Sequence, residues 1–441
     1  MLLSKYNLKN IQAEKLALPD LAQFELPEKV LQFGTGVLLR GLPDYFIDKA
    51  NKKGIFNGRI VVVKSTDGGG TDAFEKQDGL YTICVRGIEE GKKHEENIIC
   101  SSISRVLSAK NEWNKVLECA HNPQLKLIIS NTTEVGIELV QDDIKRYPPV
   151  SYPGKLLAFL YERFKAFAGS KQSGMVIIPT ELILDNGDKL ESIVTELAYL
   201  NGLEESFIDW LENSNTFCNS LVDRIVPGKP DKAQKSSIEK ETGYADDLML
   251  MTEVYRLWAI EGGRDVKEVL SFAAADKGVV ITENINLYRE LKLRMLNGTH
   301  TLSCAVAFLS GLATVKDAMD DKLVEQYISK LMQQEIASAI PYKTTPEQTK
   351  EFSGNCLDRF RNPFIEHQWL SITAQYSSKM RLRVVPVLLQ YYALYKKVPE
   401  YMAIGFAAYI YFMKPVKEEE GKYYGRVNGK FYHINDAKAF Y

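Results

Sequence analysis

Paired thiols are missing from this chain. Its six cysteines, Cys84, Cys100, Cys119, Cys218, Cys304 and Cys356, are scattered, and no two of them make a C-x-x-C pair. That spacing speaks against a cysteine-based zinc site and a disulfide-stapled scaffold. It reads as a reduced, cytoplasmic protein with buried thiols. His94, His121 and His433 lack ligand spacing as well, so no metal is expected. Long apolar runs are also absent. Nowhere do about 18 apolar residues follow one another, so no membrane-spanning helix is expected. The N-terminal stretch MLLSKYNLKNIQAEKLALPD has no apolar core of the roughly 7–15 residues that a signal peptide needs. An excess of either charge is missing too: 55 Lys and Arg against 57 Asp and Glu leave −2. A globally basic nucleic-acid binder is therefore excluded as an expectation, although a local patch is not. Internal repeats and low-complexity linkers do not occur, and nothing in the pattern selects an oligomeric state.

What is present is an ordinary globular mixture, with 45% hydrophobic and 25% charged residues over 441 positions. The length favours two or three domains. The apolar run Lys29–Phe33 ends in Gly34-Thr35-Gly36 and reads as a buried strand followed by a tight turn. Val37–Ala50 reads as a helix in which Pro43 is tolerable only near a helix start. Arg59–Lys64 is the second strand. A β-turn-α-β unit within about 35 residues is the opening of a doubly wound nucleotide-binding fold. The strands continue at Leu80–Arg86, with a hairpin through Gly87–His94, then at Leu125–Ser130 and Met175–Pro179. Leu156–Phe167 is a helix between the last two. Beyond about residue 245 the texture turns helical: Leu248–Ile260, Leu287–Leu312, Asp317–Leu331, Arg381–Tyr395 and Tyr401–Met413, with a hairpin at Tyr423–His433. The expected architecture is α/β, with a Rossmann-like doubly wound domain over 1–272 and a mainly α-helical substrate and catalytic domain over 273–441.

Gly34-x-Gly36 allows a sharp turn and lets a pyrophosphate approach backbone N–H groups. The third glycine of the dinucleotide fingerprint is absent, because position 39 is Leu, and Arg40 would supply positive charge instead. An ordinary strand-to-helix turn is the plainer alternative. The second strand ends in Lys64 with Asp67 in the following loop, which leaves NAD and NADP both open. Ser130-Asn131-Thr132-Thr133-Glu134 and Pro179-Thr180-Glu181 follow buried strands at their carboxyl ends, where open α/β sheets bind ligands; capped turns would look the same.

The most informative stretch is Arg289–His300. It sets Lys292, Asn297 and His300 in or before an apolar helical run. Asn297 and His300 share a helix face. Lys292 precedes His300 by eight residues, about 12 Å on a regular helix, so an irregular start of the helix is needed to bring them together. A desolvated lysine gives up its proton readily and serves as general base toward an alcohol, while Asn and His donors stabilise the alkoxide. Hydride then passes to a nicotinamide. The bland alternative is a helix with a satisfied histidine and a snorkelling lysine. Arg361, His367, Lys379 and Arg383 are cations suited to a carboxylate or phosphate, or to a solvated basic face.

These motifs together resemble the polyol-specific long-chain dehydrogenases, the mannitol dehydrogenase family. The carriers are Gln32-Phe33-Gly34-Thr35-Gly36-x-x-x-Arg40, Gln77-Asp78-Gly79-Leu80-Tyr81-Thr82, Val222-Asp223-Arg224-Ile225-Val226 and Lys292-x4-Asn297-x2-His300, and the resemblance runs over almost the whole chain. It implies NAD lying across Phe33, Gly34, Thr35, Gly36, Val37, Leu38 and Arg40, with Lys64 beside the adenosine end and Asn131 and Thr132 near the nicotinamide. It implies Lys292 as base and Asn297 and His300 as the oxyanion site. Glu181, Asp223, Arg361, His367, Lys379 and Arg383 are its substrate-binding candidates. Family enzymes acting on neutral polyols have Asp-Asn where this chain has Glu181-Leu182. That difference, with Arg359-Phe360-Arg361-Asn362-Pro363, implies a small sugar acid, with D-tagaturonate and D-altronate as the interconverted pair. Fructuronate, mannitol or mannitol phosphate are the alternatives, as is a nucleotide-sensing protein without turnover.

Overall fold

A computed structural model describes residues 1–11, 16–65, 70–132 and 136–440. Asp67, Thr133 and Glu134 lie outside the described residues. Two compact units divide the chain: Met1–Arg86 with Glu95–Ile285, and Gly87–His94 with Asn286–Tyr441.

The first unit is built on six parallel strands: β1 (Glu28–Phe33), β2 (Arg59–Lys64), β3 (Ile103–Ser108), β4 (Leu127–Ser130), β5 (Val176–Pro179) and β6 (Thr216–Phe217). Their order is β3-β2-β1-β4-β5-β6, every pair parallel, which is the doubly wound dinucleotide-binding order. Successive side chains point to opposite faces, and both faces are covered. Val30, Ile60, Val62, Leu127, Ile129 and Ile178 pack into one core layer, with Phe46 and Ile47 of the helix Pro43–Lys52. Leu31, Val61, Val63, Ile128 and Ile177 pack into the other, with Trp113, Leu156, Phe159 and Leu197. A sheet buried on both sides leaves no polar face to its strands, which is why they read as continuous apolar runs.

The helix after β1 is broken in two, Val37–Gly41 and Pro43–Lys52, and Pro43 sits at the first position of the second piece. That is where a missing N–H and a fixed φ cost nothing. The sheet order reverses between β1 and β4, so a crevice opens at their carboxyl ends.

Leu248–Ile260, expected as a helix, is instead two strands, Leu250–Glu253 and Leu257–Glu261. The first pairs with Tyr81–Glu89 and the second lies between Ser220–Asp223 and Val279–Thr282. Short, largely buried segments of four or five residues carry no periodicity that separates strand from helix.

The second unit is mainly helical around a core that includes Met295, Leu302, Ile328, Met332, Trp369, Tyr376 and Phe412. Its central helix runs from Asn286 to Leu309, with a π-helical turn over Leu291–Leu296. Further π-helical turns occupy Leu331–Ile336 and Met380–Val384. A small antiparallel sheet, Lys417–Glu419, Lys422–Val427 and Lys430–His433, follows. No helix among the described residues is long and apolar enough to cross a membrane.

Candidate functional site

In the first unit, residues 33–38 and Asn131 with Thr132 lie at the carboxyl ends of β1 and β4, at the crevice. Gly34 takes φ +128°, a region that side chains rarely adopt. An added Cβ there would stand 2.9 Å from Leu39 Cδ1 and 3.2 Å from the Asn131 carbonyl oxygen. Asn131 in turn donates its backbone N–H to the Phe33 carbonyl at 3.2 Å. The ends of β1 and β4 are thus held against each other, and only glycine fits between them. At Gly36 an added Cβ would meet nothing within 4 Å, so the outer side of the turn, before Val37 and Leu38, is open to a ligand. A Rossmann crevice with an open glycine turn and the N–H groups of a helix start suits a dinucleotide pyrophosphate. Gly34→Ala is expected to cost roughly 1–3 kcal/mol of stability through backbone strain and to weaken NADH binding at least tenfold. Urea melts and a fluorescence titration check this; an unchanged NADH affinity would contradict it.

Arg40, expected beside a phosphate, is 5% exposed and already engaged. Its Nε donates to the Thr35 carbonyl at 3.3 Å and its Nη1 to the Leu248 carbonyl at 2.6 Å, over the rings of Tyr81 and Phe74. It braces the turn from within. Lys64 ends β2 and is buried. Glu181, expected on the substrate, is also buried. Its carboxylate accepts from the Thr132 backbone N–H at 2.7 Å, from the Thr132 hydroxyl at 3.0 Å and from the Ser130 hydroxyl at 3.2 Å. Glu181 therefore shapes the loop after β4. Asp223 is buried at the end of its strand.

Beneath the glycine turn lies a carboxyl group that no motif singles out. Asp44 is fully buried; Oδ2 accepts from the Tyr81 hydroxyl at 3.2 Å and from Gln32 Nε2 at 3.5 Å, while Oδ1 has no partner among the described residues. Burial pushes its pKa up to about 7, against the lowering effects of Gln32, Tyr81 and Arg40. The folded protein therefore holds a proton that the unfolded chain releases near pH 4. Stability falls as pH rises from about 4 to about 7 and stays lower above that. Asp44→Asn is expected to remove this slope. At pH 8 the variant should be more stable than the parent by a few kcal/mol, since each tenfold change in proton affinity is worth about 1.4 kcal/mol. Urea denaturation at pH 5 and pH 8 reads this directly, and an equal difference at both values would refute it.

In the second unit, the π-helical turn does what a regular helix cannot. The Asn297 backbone N–H donates to the Lys292 and Leu293 carbonyls, so Lys292 and Asn297 are joined by an i→i+5 bond. Five residues on a regular helix are roughly 140° apart; the wider turn closes most of that angle. Asn297 and His300, three residues apart, share a helix face; the π turn rotates Lys292 toward that face, and Lys292 is half-buried. His300 stacks on Phe360, with ring centroids 4.3 Å apart and planes 9° apart. It meets the edges of His367 at 5.3 Å and Trp369 at 6.0 Å. Its Nε2 is buried and has no partner among the described residues. Burial, then His367, Arg359, Arg383 and Lys379, hold the imidazole well below its ordinary pKa. A neutral ring with an unused buried nitrogen is a hydrogen-bonding group waiting for a ligand oxygen.

The cations divide. Burial and neighbouring Arg359 and Lys379 lower the His367 pKa, and burial with neighbouring Arg383 lowers that of Lys379. Lys379 donates to the Ile372 carbonyl at 2.8 Å, and Arg383 Nη1 to the Thr301 hydroxyl at 3.3 Å. Arg361, expected with them, instead forms an ion pair with Glu325 at 2.8 Å, on a side chain that is 40% exposed. Its place is taken by Arg359, two residues earlier. The pair Arg359-x-Arg361 offered no basis for choosing between them, since the choice rests on Phe360 packing against His300. Among the described residues no group of three or more His, Cys, Asp or Glu is placed to hold a metal ion.

Known proteins match both units. Residues 28–271 match the mannitol dehydrogenase Rossmann domain and residues 284–436 the mannitol dehydrogenase C-terminal domain. The altronate oxidoreductase of Bacillus subtilis (strain 168) is 41% identical over 88% of this chain and 80% of its own length. That of Shigella flexneri is 37% identical over 95% and 84%. Among solved structures, a D-sorbitol dehydrogenase in substrate-free form superposes with a TM-score of 0.77 at 20% identity, over 93% of this chain and 85% of its own. The Pseudomonas fluorescens mannitol 2-dehydrogenase ternary complex with NAD and D-mannitol superposes at 0.70 and 23% identity, over 100% and 88%.

Proposed function

Because the chain belongs to the mannitol dehydrogenase family, we propose that it is an NAD-dependent oxidoreductase interconverting D-tagaturonate and D-altronate. The cofactor is held by Gly34, Thr35, Gly36, Val37 and Leu38 on one side of the crevice and by Asn131 and Thr132 on the other. When bound, NADH supplies the hydride that reduces the ketone carbon. Lys292 carries a proton on Nζ and gives it to the ketone oxygen as the alcohol forms; in the oxidative direction it takes that proton back. Asn297 and His300 donate to the same oxygen and stabilise its developing charge. Arg383 and Lys379, with Arg359 and His367, supply the positive charge for the carboxylate of the sugar acid.

One observation carries the choice of an acid. The unpartnered His300 Nε2 stands within the influence of four basic side chains, Arg359, His367, Lys379 and Arg383. A neutral polyol gives such a cluster no counter-charge, whereas a uronate does. Relatives named altronate oxidoreductase at 36–41% identity support the same substrate class. The test is NADH oxidation followed by absorbance with tagaturonate, fructose and mannitol phosphate in parallel. Tagaturonate should be turned over far faster than fructose. Equal turnover of the two would sink the assignment, and a folded, NADH-binding protein that turns over no sugar would be a nucleotide-binding protein instead.

A further inference from the structure

Two of the π-helical turns in the second unit are joined by one side chain. Arg294 lies in the turn Leu291–Leu296, two residues after Lys292, and is 8% exposed. Its Nη1 donates to the carbonyls of Leu382 and, at 3.3 Å, of Arg383, both in the turn Met380–Val384. Its other edge is gripped by Glu290, four residues earlier: Nε to Oε2 at 2.8 Å and Nη2 to Oε1 at 3.4 Å. Gly298 shows how close the two segments lie, because an added Cβ there would stand 3.7 Å from both the Arg383 and the Leu293 carbonyl oxygens.

We infer that Arg294 is a positioning residue that fixes the turn bearing Arg383 against the turn bearing Lys292. The inference rests on the roles given above to Lys292 and Arg383. A π turn breaks the regular i→i−4 ladder, so its carbonyls need outside donors. A guanidinium supplies a rigid fork with five N–H groups, enough to reach both the carboxylate and the neighbouring backbone; an ammonium has neither the reach nor the geometry. A buried ion pair is a poor way to gain stability, and it is well suited to fixing register. The consequence is chemical. The distance between the proton donor and the cation for the carboxylate is set by backbone, and Arg294 holds the two backbones together. Misplacement on the scale of an ångström is enough to lower catalysis strongly.

The test is Arg294→Lys, which keeps the charge beside Glu290 and loses the fork. The Michaelis constant for tagaturonate should rise about tenfold while NADH affinity stays within about twofold. Backbone amides of Met380–Val384 and the turn after it should exchange hydrogen faster than in the parent. Combined with Arg383→Ala, the Arg294→Lys change should add little further loss, because both act on one contact. Should Arg294→Lys fold poorly, Glu290→Gln loosens the same grip and should move both readouts in the same direction by less. An unchanged Michaelis constant in a folded, active variant, or full additivity with Arg383→Ala, would overturn the inference. If the parent reduces no sugar acid, the substrate assignment fails on its own, and amide exchange still decides: faster exchange upholds the positioning role and unchanged exchange removes it.

Discussion

Replacing Lys292 with alanine is expected to lower tagaturonate reduction by roughly 10³-fold, within the usual worth of a positioned proton donor, while NADH binding stays within about twofold of the parent. The split follows from the division of labour. In the proposed roles the glycine turn and Asn131 hold the dinucleotide and Lys292 moves the proton, so alanine removes the proton donor and leaves those contacts in place. Lys292→Arg should not restore activity, because a guanidinium keeps its proton under all ordinary conditions. Steady-state rates and a fluorescence titration on the same preparations give both numbers. Turnover within tenfold of the parent would remove Lys292 from the reaction.

The second large effect is expected at His300. Its ring is pinned between Phe360 and the edges of His367 and Trp369, with Nε2 buried and unused among the described residues. Removing a donor aimed at a developing oxyanion costs roughly 10²–10³ in turnover, and His300→Ala should fall in that range. His300→Gln keeps a neutral donor and should retain more activity than alanine. The pH behaviour follows from the same surroundings. Because burial and nearby cations keep the folded imidazole well below its ordinary range, it stays neutral throughout neutral and alkaline conditions. The unfolded chain takes up a proton below about pH 6.5 that the folded ring does not. His300 therefore costs stability as pH falls through that region, and the cost vanishes as pH rises above it. In His300→Gln this acid-side loss should shrink. Equal acid-side loss in parent and variant would contradict the neutral-ring account.

Much of the first unit was legible because each cue had one physical cause. The run Lys29–Phe33 ends at a glycine whose φ no other residue adopts easily, and the strand after it is fully buried. Those two facts are visible in letters. The strands at Leu250–Glu253 and Leu257–Glu261 were not, since a short stretch buried on both faces looks alike as strand or helix. The spacing of Lys292, Asn297 and His300 showed that an irregular helix is needed to bring the lysine to the face of the other two. Nothing in the letters said that the irregularity would be a π turn. The identity of each polar partner was the hardest to foresee. Arg361 pairs with Glu325, Arg40 reaches the distant carbonyl of Leu248, and Glu181 turns back to Thr132. Each is a long-range choice made by packing, while composition says only that a charge is present. The hairpin tip Gly87–His94, which groups with the second unit, gave no sign of that in its sequence.

Two stereochemically related uronates, set against each other on one enzyme preparation, decide the substrate: initial rates of NADH oxidation with tagaturonate and with fructuronate. The specificity constant is expected to be at least tenfold higher for tagaturonate. Equal constants, or a preference for fructuronate, would show that the enzyme is not built for tagaturonate.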